Sequence, residues 1–238
     1  MAKPKSGRCV HCLATVDAIT DDHLFPRAWY PAVMPHTLEK WTVPACRACN
    51  HEYGRIEEDL LLRFAACLNP DGPATERILM TVRNSMDHKR ATSRLDALKR
   101  IKKRRRFEKL IKPVEQATDL RRVPEIGPVQ PKDRFAIVVS AASIRRFVEK
   151  LVRGTVYLTE NRYIETGRIG VSMMEPERAA EVQELLEQFG ELHERGRAIR
   201  IRKAVAAEAP RDPIFVFDLW DQFRVYAYVE DELRESGR

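Results

Sequence analysis

The chain has 238 residues, 44% of them hydrophobic, and a formal net charge of +7. That apolar content excludes global disorder, and the length suits one large domain or two small ones. No apolar run approaches the roughly 20 residues of a membrane helix. The first residues are basic without the apolar core of a secretory signal, so the expectation is a cytoplasmic protein with no membrane partner. The charge is concentrated: residues 89–112 hold twelve Lys or Arg against Asp96 and Glu108, a local +10 that leaves −3 for the rest. Such a segment suits a polyanion.

In chain order, Cys9-Val10-His11-Cys12 reads as a tight turn aiming two thiols at one ion. Residues 13–25 suggest a short hairpin. Pro26, Pro31 and Pro35 predict an irregular packed loop, and residues 41–45 a short strand into the second pair, Cys46-Arg47-Ala48-Cys49. From Asn50, the spacing of Ile56, Leu60, Phe64 and Leu68 predicts a helix that stops at Asn69-Pro70. A second helix is expected over about 74–86, and a helix with a sparse apolar stripe over 89–112. Residues 113–133 carry four prolines and read as an extended linker. Beyond it come a strand at 135–140, a helix from Ser143 to Val152 with Gly154 just past its end, short strands at 156–158 and 168–171, and a helix at 177–189. Strands at 199–205, 214–219 and 223–229 follow, the last two joined at Trp220-Asp221-Gln222. The fold class is α+β.

Four of the five cysteines form the two Cys-x-x-Cys pairs, a spacing suited to one tetrahedral zinc. A site of Cys9, Cys12, Cys46 and Cys49 is closed, hence structural, with His11 as a bystander. Cys67 reads as a buried apolar residue. The 33 residues between the pairs must build something of their own, and they contain Asp21-Asp22-His23-Leu24-Phe25-Pro26-Arg27. Phosphodiester hydrolysis needs a base for water and hard oxygen ligands for a divalent cation. His23, Asp22 and Asn50 supply that inventory.

An Asp-His pair followed by Pro, then Cys-x-x-Cys-Asn opening a helix, resembles the HNH (ββα-metal) endonucleases. Bracketing by two knuckles is similar to the recombination endonuclease VII group, and the wording also resembles uncharacterised bacterial HNH proteins. The resemblance covers about residues 9–60. It implies His23 as general base, with Asp22 and Asn50 as ligands of a catalytic Mg2+ or Mn2+. The family's middle Asn corresponds to Trp41 here, a departure at the residue that orients the base. Arg27, His51, Glu57 and Glu58 are candidates for phosphate contact or for the outer metal shell. Lys99, Arg100, Lys102, Lys103, Arg104, Arg105 and Arg106 are candidates for the nucleic-acid backbone.

The expected organisation is a zinc-stapled nuclease module at 1–68, a basic helical segment at 69–112, a linker at 113–133 and an α+β unit at 134–238. The expected function is a metal-dependent DNA endonuclease in bacterial or phage-related defence or DNA processing, possible as a homodimer. The alternatives are a non-catalytic zinc-stabilised DNA-binding module and an effector nuclease activated by a partner.

Overall fold

The computed structural model describes residues 6–30, 41–69, 72, 75–113, 135–172, 176–194 and 199–230. The chain forms two compact units, one of residues 1–57 with 144–238, the other of residues 58–143. The expected boundaries at 68 and 134 do not coincide with this division. Residues from the C-terminal half build the core of the first unit together with the N-terminal segment.

In the first unit, β1 (Gly7–Arg8) pairs with β2 (Thr15–Val16), and the first cysteine pair lies in the turn between them. β3 (Ile19–His23) pairs antiparallel with β4 (Thr42–Cys46), setting Asp22 opposite Val43 and His23 opposite Thr42. The expected hairpin within residues 13–25 is therefore replaced by two separate pairings. The first cysteine turn joins β2 to β1, and β3 takes the strand that leads into the second pair. A 3-10 turn, Arg27–Trp29, follows β3.

Helix α1 spans Arg47–Ala65, three residues earlier than Asn50, so Cys49 and Asn50 lie in its first turn. Its Tyr53 is buried in one apolar cluster with Cys9, Ala45, Cys46 and Cys49. The end of α1 lies in the second unit. That unit also contains α2 (Glu76–Met86) and α3 (Arg94–Leu110). The expected continuous helix over 89–112 is broken at Thr92-Ser93. The Ser93 hydroxyl accepts from the Asp96 amide at 3.1 Å and caps α3. Pro113 lies in β5 (Ile111–Pro113), which pairs with β6 (Phe135–Ile137). The expected linker after Pro113 lies outside the described residues.

Helix α4 runs from Ala141 to Glu160. It absorbs both the expected stop at Gly154 and the expected strand at 156–158. Phe147, Val148, Leu151, Val152 and Val156 are all buried, so the helical apolar period continues unbroken past Gly154. Gly154 is a contact position: a Cβ there would lie 2.4 Å from Leu24 Cδ1. The remaining elements are β7 (Arg168–Ser172), α5 (Pro176–Phe189), β8 (Glu191–Glu194), β9 (Ile199–Ala204), β10 (Ile214–Leu219) and β11 (Phe223–Glu230). The five strands form an antiparallel sheet in the order β7-β11-β10-β9-β8. Leu186 of α5 packs on Val216 and Tyr226 of that sheet.

The β10–β11 turn ties the sheet to the N-terminal segment. Trp220 and Asp221 both have φ of 57°, the left-handed region that costs a bulky side chain energy. Burial compensates Trp220: its indole N–H donates to the Trp29 carbonyl at 2.9 Å, and the two rings stand 5.2 Å apart. Phe147 of α4 completes the cluster, 4.8 Å from the Trp29 ring. Among the described residues, no helix is long and apolar enough to cross a membrane.

Candidate metal centre and the adjoining polar cluster

The four expected cysteines converge. The sulfurs of Cys9, Cys12, Cys46 and Cys49 all lie within 4.8 Å of one another, and no other group of three or more His, Cys, Asp or Glu side chains among the described residues gathers in this way. The Cys12 and Cys46 sulfurs are 3.8 Å apart. Four ligands at about 2.3 Å around a tetrahedral zinc stand about 3.8 Å from one another. The donor set and its spacing thus fit a structural zinc. The Cys49 amide donates to the Cys46 sulfur at 3.4 Å, which supports charge on that sulfur.

Without a metal, these thiols are unevenly disposed. Burial pushes the Cys9 and Cys49 thiols up. At Cys46 burial also raises the pKa, but hydrogen bonds from Cys49 and Cys12 outweigh it and leave this thiol below its ordinary value. A divalent cation deprotonates coordinating thiols and reverses the penalty. Cys67 stands apart from the cluster, half-buried and free.

The second feature is a buried polar cluster on the α1-facing side of β3. Strand periodicity puts Thr20 and Asp22 on one face and His23 on the other. Asn50 and Glu57 lie two turns apart on one face of α1. The Asn50 amide donates to the Thr20 hydroxyl at 3.0 Å, and Thr20 donates in turn to the Ala45 carbonyl at 3.0 Å. Asn50 therefore ties the start of the helix to the hairpin.

Asp22 is buried, and both of its carboxylate oxygens are engaged. Oδ2 lies 3.0 Å from His11 Nε2, and Oδ1 accepts from Lys150 Nζ at 3.0 Å. Lys150 comes from α4 and is fully buried. Its ammonium also donates to Glu57 and, at 2.7 Å, to the His23 backbone carbonyl. Burial pushes the Glu57 carboxyl up to about 7, against the pull of Lys150 and with a further push from Asp22. Burial likewise lowers His11, although Asp22 opposes it. A neutral His11 donates Nε2–H to Asp22. Its ring meets the buried Tyr53 ring edge-on at 4.7 Å.

His23 is half-buried on the opposite face, and its Nε2 accepts from Arg27 Nε at 2.7 Å. Trp41 precedes β4. Its carbonyl accepts from the Leu24 amide at 2.9 Å, and its ring stands 5.3 Å from His193. His51 is exposed. In the second unit, Glu58 pairs with Lys103 at 2.7 Å.

The expected backbone-binding residues on α3 fall into two groups. Arg100 pairs with Asp96 at 3.0 Å, Arg104 with Glu108 at 2.9 Å, Arg106 with Asp59, and Lys103 with Glu58. The Lys99, Lys102 and Arg105 side chains are exposed and, among the described residues, carry no ion pair or hydrogen bond. Their spacing of three sets them along one stripe of the helix.

Sequence reasoning thus missed two members of the cluster. His11 is no zinc ligand, yet it caps Asp22. Lys150 lies 128 positions from Asp22. Its signal was local: a lysine three residues after Phe147 and one before Leu151, at the edge of an apolar face. In comparisons with known proteins, no family model, no curated protein and no solved structure matches this chain.

Proposed function

We propose that the chain is a zinc-stapled, metal-dependent endonuclease acting on DNA, with His23 as general base and Asp22 and Asn50 as oxygen ligands for Mg2+ or Mn2+. One observation carries the reading. The cysteine cluster fastens the β1–β2 turn to the junction of β4 and α1, and β3 pairs with β4, so that Asp22, His23 and Asn50 lie on adjoining elements. The same residues carry the resemblance to HNH endonucleases. The divalent cation supplies charge stabilisation at the scissile phosphate.

The chain's own residues have definable parts. Arg27 holds the His23 ring by donating to Nε2. When Arg27 transfers to a phosphate oxygen, that nitrogen's lone pair is released to take a proton from water. Asn50 gives its amide N–H to Thr20, which leaves Oδ1 as the atom to face an ion. Asp22 must exchange its Lys150 contact to do the same.

A second reading is a non-catalytic zinc-stabilised DNA-binding module. The observation favouring it is Lys150 itself, whose ammonium stands between Asp22 and Glu57 where a cation would balance them. Plasmid cleavage with Mg2+ or Mn2+ separates the two. Nicking by the wild type and none by His23→Ala supports the nuclease. Absence of nicking with either ion, on supercoiled, linear and single-stranded DNA alike, leaves the binding module. Nicking that survives His23→Ala removes the base assignment.

A further inference from the structure

The first unit holds a cavity of about 320 Å3 between the middle of α4 and strand β7. Its lining is basic. Arg145 and Arg153 come from α4, two turns apart, and Arg168 from the start of β7. One acid, Glu149, shares the lining, and its carboxylate is already engaged by Arg146 at 3.0 Å. Arg153 is aimed by the buried Ile164 carbonyl, which accepts from one of its terminal nitrogens at 2.7 Å. The Arg145 and Arg168 side chains are exposed and, among the described residues, have neither an ion pair nor a hydrogen bond. Glu230 stands opposite Arg168 in the β7–β11 ladder, with no ion pair between them.

The floor is equally specific. Gly170 pairs with Tyr228 across the same ladder, and the tyrosine ring lies over it. A Cβ at Gly170 would fall 2.1 Å from the ring carbon that bears the hydroxyl. Any side chain at 170 would lift the ring. Glycine keeps it flat against the sheet and 40% exposed beside the guanidiniums.

Guanidinium groups bind phosphate as planar, bidentate donors, and an exposed ring next to them offers a surface for a base. A concave site with three arginines and one neutralised acid carries uncompensated positive charge. We infer that this cavity binds the phosphate groups of a nucleic-acid strand, with Arg145, Arg153 and Arg168 on the backbone and Tyr228 under a base. The choice of a strand over a free phosphorylated molecule rests on the nuclease reading above. The phosphate chemistry itself does not.

The test measures fluorescence anisotropy of a labelled 12-nucleotide DNA strand with full-length, zinc-loaded protein and no added divalent cation. Cleavage therefore plays no part in the readout. Arg145→Gln/Arg168→Gln is expected to weaken binding at least tenfold. The slope of log affinity against log salt should fall by roughly 1.4, about 0.7 for each phosphate contact on a single strand. Arg145→Lys/Arg168→Lys should keep most of the affinity, which separates charge from folding. Tyr228→Ala should weaken the strand about fivefold or more. Unchanged affinity in the double glutamine variant, with a zinc content equal to wild type, overturns the site. Calorimetry with inorganic pyrophosphate distinguishes the sources. Pyrophosphate binding that is lost in the glutamine variant while strand binding persists overturns the strand assignment. Failure of the wild type to cleave leaves these outcomes readable, and loss of the site with cleavage intact removes the site alone.

Discussion

Lys150 donates to Asp22 at 3.0 Å from 128 positions away in the chain, and it does so with no solvent reaching its side chain. A buried ammonium needs its acceptors, and the acceptors need it. Lys150→Met would leave the Asp22 and Glu57 carboxylates buried without a counter-charge. Breaking a buried ion pair on one side costs about 3–5 kcal/mol. Urea denaturation of the zinc-loaded variant should show a loss of that order. Adding Asp22→Asn and Glu57→Gln to Lys150→Met should recover much of it, because amides remove the stranded charge. A loss below about 1 kcal/mol would mean that the ammonium is not the counter-ion of this cluster.

Glu57 makes the same cluster sensitive to pH. Burial raises its carboxyl from 4.5 to about 7. A carboxyl raised on folding holds its proton in the native state after the unfolded chain has released it. Its stabilising contribution is therefore complete below about pH 4.5 and is lost as pH rises through 7. A shift of this size corresponds to about 3 kcal/mol. The wild type should lose stability relative to Glu57→Gln between these limits, measured as the difference in urea midpoints with zinc held saturating. Parallel pH profiles for the two proteins would remove Glu57 as the titrating group.

The parts of this fold that were legible in the sequence are those whose signal is local. The cysteine spacing announced a four-sulfur cluster because Cys-x-x-Cys geometry is set within four residues. The spacing of Ile56, Leu60 and Phe64 announced the helix that runs over Arg47–Ala65, the helix expected at 177–189 is Pro176–Phe189, and Trp220-Asp221-Gln222 was readable as a turn. What failed was decided by distant partners. Gly154 reads as a helix stop, but Leu24 occupies the space a side chain would need, so the helix passes through it. Asp22 reads as an open ligand because nothing within ten residues on either side gives it a partner. Both of its partners come from elsewhere: His11 from the first cysteine turn and Lys150 from α4.

Zinc should be worth more to this chain than any single contact. The cluster joins the turn after β1 to the junction of β4 and α1, and three of its four cysteines are buried. Cys46→Ser should abolish stoichiometric zinc, measured by inductively coupled plasma emission. It should also lower the thermal midpoint by more than 10 °C, since structural zinc sites supply folding free energy directly. Cys67→Ser, away from the cluster, should keep one zinc per chain. Retention of one tightly held zinc in Cys46→Ser would show that the four-sulfur site is not the zinc site.

On α3, the distribution of ion pairs predicts which arginines and lysines a polyanion meets. Among the described residues Lys99, Lys102 and Arg105 have no ion-pair partner, whereas Arg100, Lys103, Arg104 and Arg106 each have an acid partner. A contact to phosphate by a paired residue must first displace a carboxylate, even though exposed pairs are worth only about 0–1 kcal/mol. Replacing Lys99, Lys102 and Arg105 together by Gln should lower the salt slope of duplex DNA binding by roughly 2.7, about 0.9 for each phosphate released. Replacing Arg100, Lys103 and Arg104 together should lower it less. Equal slopes for the two triple variants would mean that the helix binds by net charge alone and that its exposed stripe has no privileged role.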